Sequence, residues 1–257
     1  MDDNVRTERR FWDKYWDKRD RKLWKGRTSL QVIELRKLFH HYLPVNENWQ
    51  VLEIGGAYGD YLMYLAHHFN YRISSLDYSS AGNTATRKIF KEAGTEIQIF
   101  ERDLFSDLSD LPLFDLVYSL GFIEHFENPL PVIEKHVSLL KPGGILMIGA
   151  PNLTGIYQKV LNQTAPSFKE SHNLEIMDIE KWGIFERQCG IEPIYKAYIG
   201  GFEPLNMKKL ENDRAFSILL YYLVTFLTVL LSFNFSFLRK INSKFLSGYM
   251  IGIYKKR

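Results

Sequence analysis

The chain has 257 residues, of which 46% are hydrophobic and 25% charged, a composition that excludes a disordered chain, a collagen-like repeat and a coiled-coil array. Its 33 basic and 30 acidic residues leave a formal net charge of +3, too balanced to indicate nucleic-acid binding through bulk charge, and we expect no nucleic-acid partner. The single cysteine, Cys189, excludes an internal disulfide framework and a cysteine-based zinc site, and it suits a reducing compartment.

Residues 1–45 are expected to form a helical lead-in. Residues 2–25 are charged and contain no apolar stretch, so we expect no signal peptide. A disordered arm rarely carries many aromatic rings, and this region contains Trp12, Tyr15, Trp16 and Trp24. These rings either form a lid over a ligand or pack as ordinary core, and the sequence leaves both readings open. Apolar spacing over 30–42 predicts a helix with Thr28 or Ser29 as its N-cap.

Strand and helix patterns alternate through the following core, residues 46–202. Apolar runs predict strands at 51–56, 71–77, 96–103, 115–120, 145–150 and 191–198, with helices at 61–69, 81–93, 130–140 and 178–189. Alternation at this spacing predicts an α/β fold in which helices cover both faces of a mostly parallel sheet. We expect residues 203–246 to form an apolar helical insertion and residues 247–257, with a strand at 249–254, to close the core sheet.

The first core strand ends in a glycine-rich turn, VLEIGGAYGD. Gly55, Gly56 and Gly59 permit a tight turn and a close approach of the backbone to a ligand at the start of the next helix. A dinucleotide fingerprint would require G-x-G-x-x-G, which this turn lacks. Glu53 precedes the glycines and would repel a pyrophosphate but attract an ammonium or sulfonium cation. The turn therefore favours a cationic ligand over a phosphorylated one.

Two further acids end the next two strands. Asp77 follows the second strand, where an acid can accept hydrogen bonds from both hydroxyls of a ribose. Asp103, in the segment ERDLF, ends the third strand and could accept a hydrogen bond from the amine of an adenine. Ligands of such sheets bind beyond the carboxyl ends of the strands. The three acids together therefore predict a site for a positively charged nucleoside.

The segments VLEIGGAYG, SLDYSS, ERDLF, FDLVYSLGFIEHFENP and LKPGGILMIGAPN follow one another in this order. The series resembles the motifs of class I S-adenosylmethionine-dependent methyltransferases over about residues 51–202. The EHF segment and the PGG-strand-PN ending are similar to those of small-molecule O-methyltransferases, including the ubiquinone-biosynthesis type and bacterial glycan methyltransferases. The resemblance implies a Rossmann-like three-layer sandwich with a seven-stranded, mostly parallel sheet whose last strand is antiparallel.

The resemblance also implies a role for particular residues toward the cofactor S-adenosyl-L-methionine. Glu53 and the turn formed by Gly55, Gly56, Ala57, Tyr58 and Gly59 would hold the methionine moiety. Asp77 would hold the ribose, with Tyr78 against the adenosine, and Asp103 and Leu104 would border the adenine. The methionine chain would be lined by Ser119, Leu120 and Gly121. The turn departs from the common G-C-G-x-G at Gly56 and Ala57, and we expect binding to survive that departure.

Methyl transfer to a hydroxyl needs a base near the operating pH, and histidine is the natural candidate. His125 follows the fourth strand, and His172 lies in the long connection after the fifth, so we predict that one of them is the base. Either could instead be structural. Glu124 could orient a base or be solvated. We assign no role to the histidines expected on surface helices, namely His40, His41, His67, His68 and His136, and we predict no metal site.

Residues 215–238 contain no charged side chain over 24 positions, long enough to be a candidate membrane segment. Ser217, Tyr221, Thr225, Thr228 and Ser232 make one narrow polar stripe along the helix they predict. A single crossing is disfavoured because the closing strand must return to the same sheet. Two readings stay open, peripheral contact with a cytoplasmic membrane face and packing against protein. Membrane contact is supported by the basic residues that flank the segment, namely Lys208, Lys209, Arg214, Arg239, Lys240 and Lys244.

The sequence therefore predicts a cytoplasmic methyltransferase acting on a hydroxyl of a small, lipid-linked or glycan-linked acceptor. Two alternatives remain: an NAD-dependent epimerase or reductase, and a non-catalytic scaffold that binds the cofactor. The sequence identifies neither the acceptor nor the oligomeric state.

Overall fold

Seven strands and nine helices form in the part of the chain that the structure, a computed structural model, describes: residues 4–17, 29–45, 48–203, 214–234 and 241–257. The strands are β1 (Gln50–Ile54), β2 (Arg72–Leu76), β3 (Gln98–Phe100), β4 (Phe114–Leu120), β5 (Leu140–Pro151), β6 (Ile191–Phe202) and β7 (Ser247–Lys256). The helices are α1 (Arg9–Asp17), α2 (Leu30–Tyr42), α3 (Asp60–Phe69), α4 (Ser80–Glu92), α5 (Leu130–Ser138), α6 (Gly155–Thr164), α7 (Pro166–Glu170), α8 (Gly183–Gln188) and α9 (Ala215–Asn234).

All seven strands belong to one sheet, in the order β3-β2-β1-β4-β5-β7-β6. The first five are mutually parallel, and β7 is antiparallel to both of its neighbours, β5 and β6. The predicted fold, a mostly parallel seven-stranded sheet with an antiparallel last strand, is confirmed. The chain runs outward from β1 to β3 and then returns to β4, so the strand order reverses between β1 and β4. A crevice for ligands opens at such a reversal.

Helices cover both faces of the sheet because its central strands are apolar on both sides. Along β1, Val51 packs in one core cluster and Leu52 in the other. The same alternation holds in β4, as expected for a parallel sheet buried between two layers of helices. Leu62 and Leu65 of α3 pack on the Val51 side. The residues of α5 pack on the opposite side, where Val132, Ile133 and Val137 lie.

The region around residues 174–189 differs from the single helix predicted at 178–189. Two short 3-10 turns, Leu174–Met177 and Ile179–Trp182, precede α8. The Asp178 side chain accepts a hydrogen bond from the Glu180 N–H, and the Trp182 indole donates to the Ile176 carbonyl at 2.7 Å. Such local bonds from side chains to the backbone compete with helix formation. β3 is also shorter than predicted, and α6 and α7 were not predicted.

His136 is buried, which corrects the prediction that it lies on a surface helix. It belongs to the same face of α5 as Val132, which lies one helical turn earlier. The His136 Nδ1 lies 2.7 Å from the Val132 carbonyl, and its Nε2 lies 3.0 Å from the Ser119 hydroxyl. Burial lowers the pKa of His136 to about 4. The other four histidines expected at the surface are exposed: His40, His41, His67 and His68.

α9 turns its polar edge toward the protein and an apolar face outward. The buried Ser217 hydroxyl donates to the Gln163 carbonyl at 2.8 Å, and Val224 is buried. Within the described residues, no helix is both long enough and apolar enough to cross a bilayer. Several residues named in the sequence interpretation lie outside the described residues: Trp24, Thr28, Lys208, Lys209, Arg239 and Lys240; the same holds for the side chains of Thr228 and Ser232. The predicted N-cap of α2 is Ser29, whose hydroxyl accepts from the Val32 N–H.

Replacing His136 with leucine should lower the free energy of unfolding by about 1–3 kcal/mol, because the buried Ser119 hydroxyl would lose its partner. Urea unfolding followed by circular dichroism measures the change. The matched control is His41→Leu at an exposed position, which should change stability by less than about 0.5 kcal/mol. Equal effects of the two substitutions would show that the His136–Ser119 bond contributes nothing.

Candidate functional site

A cavity of about 450 Å³ opens at the carboxyl ends of β1, β2 and β4. It lies at the reversal of strand order, the place that the topology predicts for a ligand. The sequence-predicted site residues that line it are Gly55, Ala57, Asp77, Tyr78, Asp103, Leu104, Leu120, Gly121, His125 and His172. Residues far apart in sequence, from the first strand to the connection after the fifth, therefore meet around one space.

The glycine turn forms one wall of this cavity, and its conformation requires glycine. Gly55 has φ +71°, and a Cβ there would overlap the Phe122 ring. Its N–H donates to the Leu76 carbonyl at 2.9 Å, which fixes the turn against β2. A Cβ at Gly56 would lie 2.6 Å from the carboxyl group of Glu53. The backbone thus comes closer to its neighbours here than any other residue type would allow.

Five of the predicted residues do not line the cavity: Glu53, Gly56, Tyr58, Gly59 and Ser119. Glu53 lies behind Gly56, and burial raises its pKa well above the usual range, against a hydrogen bond with Tyr118 that lowers it. The Glu53 Oε2 has no hydrogen-bond partner among the described residues. Tyr58 packs edge-on against Trp16, and Ser119 bonds to His136. Their contact with a cofactor stays a prediction.

Asp77 and Asp103 are the two acids of the predicted set that face the cavity. Asp77 is only 6% exposed, and burial raises its pKa to about 6, although hydrogen bonds from the N–H groups of Ser79 and Ala57 lower it. Its Oδ1 accepts from Ser79 at 2.8 Å. Asp103 is exposed and accepts from the Phe105 N–H at 2.8 Å. The two carboxyl groups are thus held by their own loops and directed to one rim.

The lead-in supplies a second wall of the cavity. Four aromatic residues of α1 line it: Phe11, Trp12, Tyr15 and Trp16. They recur one helical turn apart, so one face of α1 points inward. The Trp12 ring packs edge-on against the His125 ring with centroids 4.9 Å apart. Asp13 accepts from the Ser79 hydroxyl at 2.7 Å and ties α1 to the start of α4.

The extended segment before α1 is bonded to the same region. The Arg6 N–H donates to the His125 carbonyl at 2.8 Å, and its guanidinium pairs with Glu127. Val5 forms an antiparallel bridge with Phe126. The lead-in is therefore part of the cavity. Sequence reasoning missed other lining residues, such as Phe11, Phe105, Phe122, Phe126, Phe168 and Ser171. Of these residues, only Phe11 could have been predicted from the sequence, because it lies next to Trp12 among the aromatic residues of the lead-in.

His125 and His172 stand side by side in the lining, with ring centroids 4.9 Å apart. The His125 Nδ1 lies 3.2 Å from the Ser171 carbonyl, and the His172 Nδ1 lies 2.8 Å from the Phe168 carbonyl. Burial, with His172 as a second cause, lowers the pKa of His125 to about 3. The ring is therefore uncharged at neutral pH.

Glu124 lies directly behind the two histidines. It is 2% exposed, and burial raises its pKa to about 8. Its Oε1 lies 3.8 Å from the His125 Nε2, and its Oε2 has no hydrogen-bond partner among the described residues. The Glu124 carbonyl accepts from the Asn173 N–H at 2.7 Å. This bond joins the loop after β4 to the connection that carries His172.

Comparison with known proteins agrees with this arrangement. A family model described as a methyltransferase domain matches residues 52–146. A phosphoethanolamine N-methyltransferase from Plasmodium falciparum is 31% identical over 120 residues, which is 45% of this chain and 44% of that protein. The curated relatives are matched over only 23% to 46% of their own length.

Solved structures share the fold over nearly the whole chain. The N-methyltransferase NodS from Bradyrhizobium japonicum, in complex with S-adenosyl-L-homocysteine, has a TM-score of 0.56 at 15% identity and covers 97% of this chain and 99% of its own. A coclaurine N-methyltransferase has a TM-score of 0.55 at 11% identity, covering 93% and 77%. The family model thus matches residues 52–146 to a methyltransferase domain, and the solved methyltransferases share the fold in which these residues lie.

Proposed function

We propose that this chain is an S-adenosylmethionine-dependent methyltransferase that methylates a hydroxyl group of a small, lipid-linked or glycan-linked acceptor. The main support for this proposal is that one continuous cavity is lined by both groups of predicted residues. Asp77 and the glycine turn lie at one part of its wall, and His125 and His172 lie at another. Methyl transfer is an in-line displacement, and it requires a cofactor site and an acceptor site that share one space.

The residues of the cofactor end fit S-adenosylmethionine. The wall at Gly55 leaves no room for a Cβ, so the backbone itself can contact a ligand. Asp77 would accept hydrogen bonds from the ribose hydroxyls, while Asp103 and Leu104 would border the adenine and Tyr78 would pack against the adenosine. The buried Glu53, whose Oε2 lacks a partner among the described residues, would favour a positively charged methionine end. When bound, this cofactor supplies an electrophilic methyl group on a sulfonium.

The residues of the acceptor end offer an uncharged ring nitrogen that can accept a hydrogen bond from a hydroxyl. The uncharged His125 ring carries a lone pair on Nε2, because its Nδ1 donates to the Ser171 carbonyl. Positive charge that develops on this ring would favour ionisation of the Glu124 carboxyl group, whose pKa burial raises to about 8 and whose Oε1 lies 3.8 Å from Nε2. The aromatic face of α1 forms the wall of this part of the cavity.

The choice of oxygen as the acceptor atom is a more specific proposal than methyl transfer itself. The relatives named above are N-methyltransferases, which makes an amine the competing acceptor class. A hydroxyl requires removal of its proton for efficient attack, and the buried histidine pair supplies a means for that. Assays with paired hydroxyl and amine acceptors of the same carbon skeleton distinguish the two classes. Methylation of the amines alone would contradict the hydroxyl proposal.

Calorimetry with S-adenosylhomocysteine should show binding, and Asp77→Ala should weaken it about tenfold or more, since each hydrogen bond to a charged acceptor is worth about 1.5–3 kcal/mol. Because the pKa of Asp77 lies at about 6, the affinity of the unmodified chain should rise with pH through that value as the carboxylate forms. Asp107→Ala, at an exposed acid outside the cavity, is the control. Binding of NAD in place of S-adenosylhomocysteine would reject the assignment.

His125→Ala should lower turnover more than about tenfold and leave the affinity for S-adenosylhomocysteine near normal, because His125 is proposed to act on the acceptor. The control His41→Ala removes an exposed ring outside the lining. Steady-state kinetics and calorimetry on the same preparations separate the two effects. Unchanged turnover in His125→Ala would remove this residue from the mechanism.

We also propose that the outward face of α9 contacts a membrane surface that contains anionic lipid. The face consists of apolar side chains that are 49% to 66% exposed, namely Phe216, Leu219, Tyr222, Leu223 and Phe226. The polar edge of this helix is directed inward through Ser217, the reverse of an ordinary surface helix. Basic residues flank the segment on both sides in the sequence. Apolar area combined with flanking positive charge is typical of interfacial helices.

Full-length protein should float with vesicles of phosphatidylcholine and phosphatidylserine and less with phosphatidylcholine alone. The double substitution Leu219→Gln and Phe226→Gln should reduce flotation several-fold and leave the fold intact, because both side chains are exposed. The control is the double substitution Leu113→Gln and Ile194→Gln, at exposed apolar residues elsewhere. Absence of the full-length protein from the anionic vesicle fraction would contradict the proposal.

A further inference from the structure

We propose that Glu124, His125 and His172 form a binding site for a divalent transition-metal ion at the acceptor end of the cavity. The three residues are buried, and one ligand atom from each lies within 4.8 Å of the others. The inference deepens the proposed function, on which its catalytic meaning rests. It departs from the sequence interpretation, in which no metal site was predicted.

The hydrogen bonds of the two histidines assign the tautomer that a metal ligand requires. Each Nδ1 lies against a backbone carbonyl, that of Ser171 for His125 and that of Phe168 for His172. Since a carbonyl only accepts, the His125 Nδ1 carries the proton and its lone pair is on Nε2. The His172 Nδ1 also lies 2.9 Å from the Ser171 hydroxyl, whose proton is donated to the Phe168 carbonyl, so both neighbours of this nitrogen accept and the same tautomer follows. Metal-bound histidines are fixed in this way by backbone carbonyls or carboxylates. Both rings are therefore oriented by contacts that a metal site would need.

The carboxyl group of Glu124 supports a metal site independently of the two histidines. It is 2% exposed, and its Oε2 has no hydrogen-bond partner among the described residues. A buried carboxyl oxygen without a partner is costly unless a cation or a donor satisfies it. The Oε1 of the same group lies 3.8 Å from the His125 Nε2.

The spacing fits a metal ion after a small adjustment. Bonds of about 2.0–2.2 Å in a tetrahedral site place ligand atoms about 3.4 Å apart. The observed separation of up to 4.8 Å requires side-chain movements of about 1 Å. Two histidines and a carboxylate are the ligand set of several catalytic zinc and iron sites, and such sites keep a position open for water or substrate.

A metal ion here would help to activate a hydroxyl acceptor. His125 and His172 line the cavity, so the open position would face the acceptor. A hydroxyl oxygen bound to the ion loses its proton more readily: the O–H bond breaks, the electron pair stays on the metal-bound oxygen, and the proton passes to water. The two histidines would then act as ligands of the ion in place of their role as bases.

The test uses full-length protein stripped with EDTA and titrated with Co²⁺, followed by visible absorption and by calorimetry. We expect one bound ion per chain. Glu124→Gln and His172→Asn should each weaken binding by about 100-fold or more, since loss of outer contacts alone costs about 10- to 100-fold. Circular dichroism and the affinity for S-adenosylhomocysteine verify that each variant is folded.

The control addresses metal binding at the surface. His40 and His68 form another close pair of rings, with centroids 6.2 Å apart and both exposed. His68→Ala should leave Co²⁺ binding unchanged; loss of binding in this variant, with none in His172→Asn, would overturn the inference. Absence of Co²⁺ binding while the stripped protein still methylates would also overturn it and leave the proposed function intact. Co²⁺ binding that needs Glu124 and His172, in a chain that does not bind S-adenosylhomocysteine, would support the metal site and reject the proposed function.

Discussion

The crevice between β1 and β4 is the constraint on which the other features of the site depend. Both strands are central and parallel, yet the helices that follow them, α3 and α5, pack on opposite faces of the sheet. The two connecting loops therefore separate at the carboxyl edge and leave a space that no backbone fills. Crowding around the first loop keeps the chain in place there: neither Gly55 nor Gly56 has room for a Cβ, because the Phe122 ring and the Glu53 carboxyl group occupy that space.

Buried acidic groups give this crevice its electrostatic character. Burial raises the pKa of Glu53 and Glu124, and it raises that of Asp77 to about 6. Each of these carboxyl groups is more easily protonated than it would be in water, because the charged form loses hydration. A ligand that carries positive charge would offset that loss and favour the carboxylates. Binding of a cationic ligand would therefore be coupled to release of protons at this site.

The lead-in links the two ends of the cavity. Asp13 bonds to Ser79 beside Asp77, Trp12 packs on His125, and the Arg6 N–H donates to the His125 carbonyl. Its contacts with the cofactor end combine the Asp13–Ser79 hydrogen bond with packing of Trp16 on Tyr58, and those with the acceptor end combine aromatic packing with backbone hydrogen bonds. Any rearrangement of α1 would thus change both ends together. This explains how a segment outside the sheet determines the shape of the space within it.

The sequence by itself determined the order and type of most strands and helices, because periodicity and turn residues are local properties. It also placed Asp77, Asp103 and His125 at strand ends, and these residues line one cavity. Tertiary structure alone decided which side chains reach that cavity. Glu53 lies behind Gly56, His136 is buried against Ser119, and α9 turns its polar edge inward. The meeting of His172 with Glu124 and His125 across 48 and 47 positions depends on how two loops pack, and no local pattern encodes it.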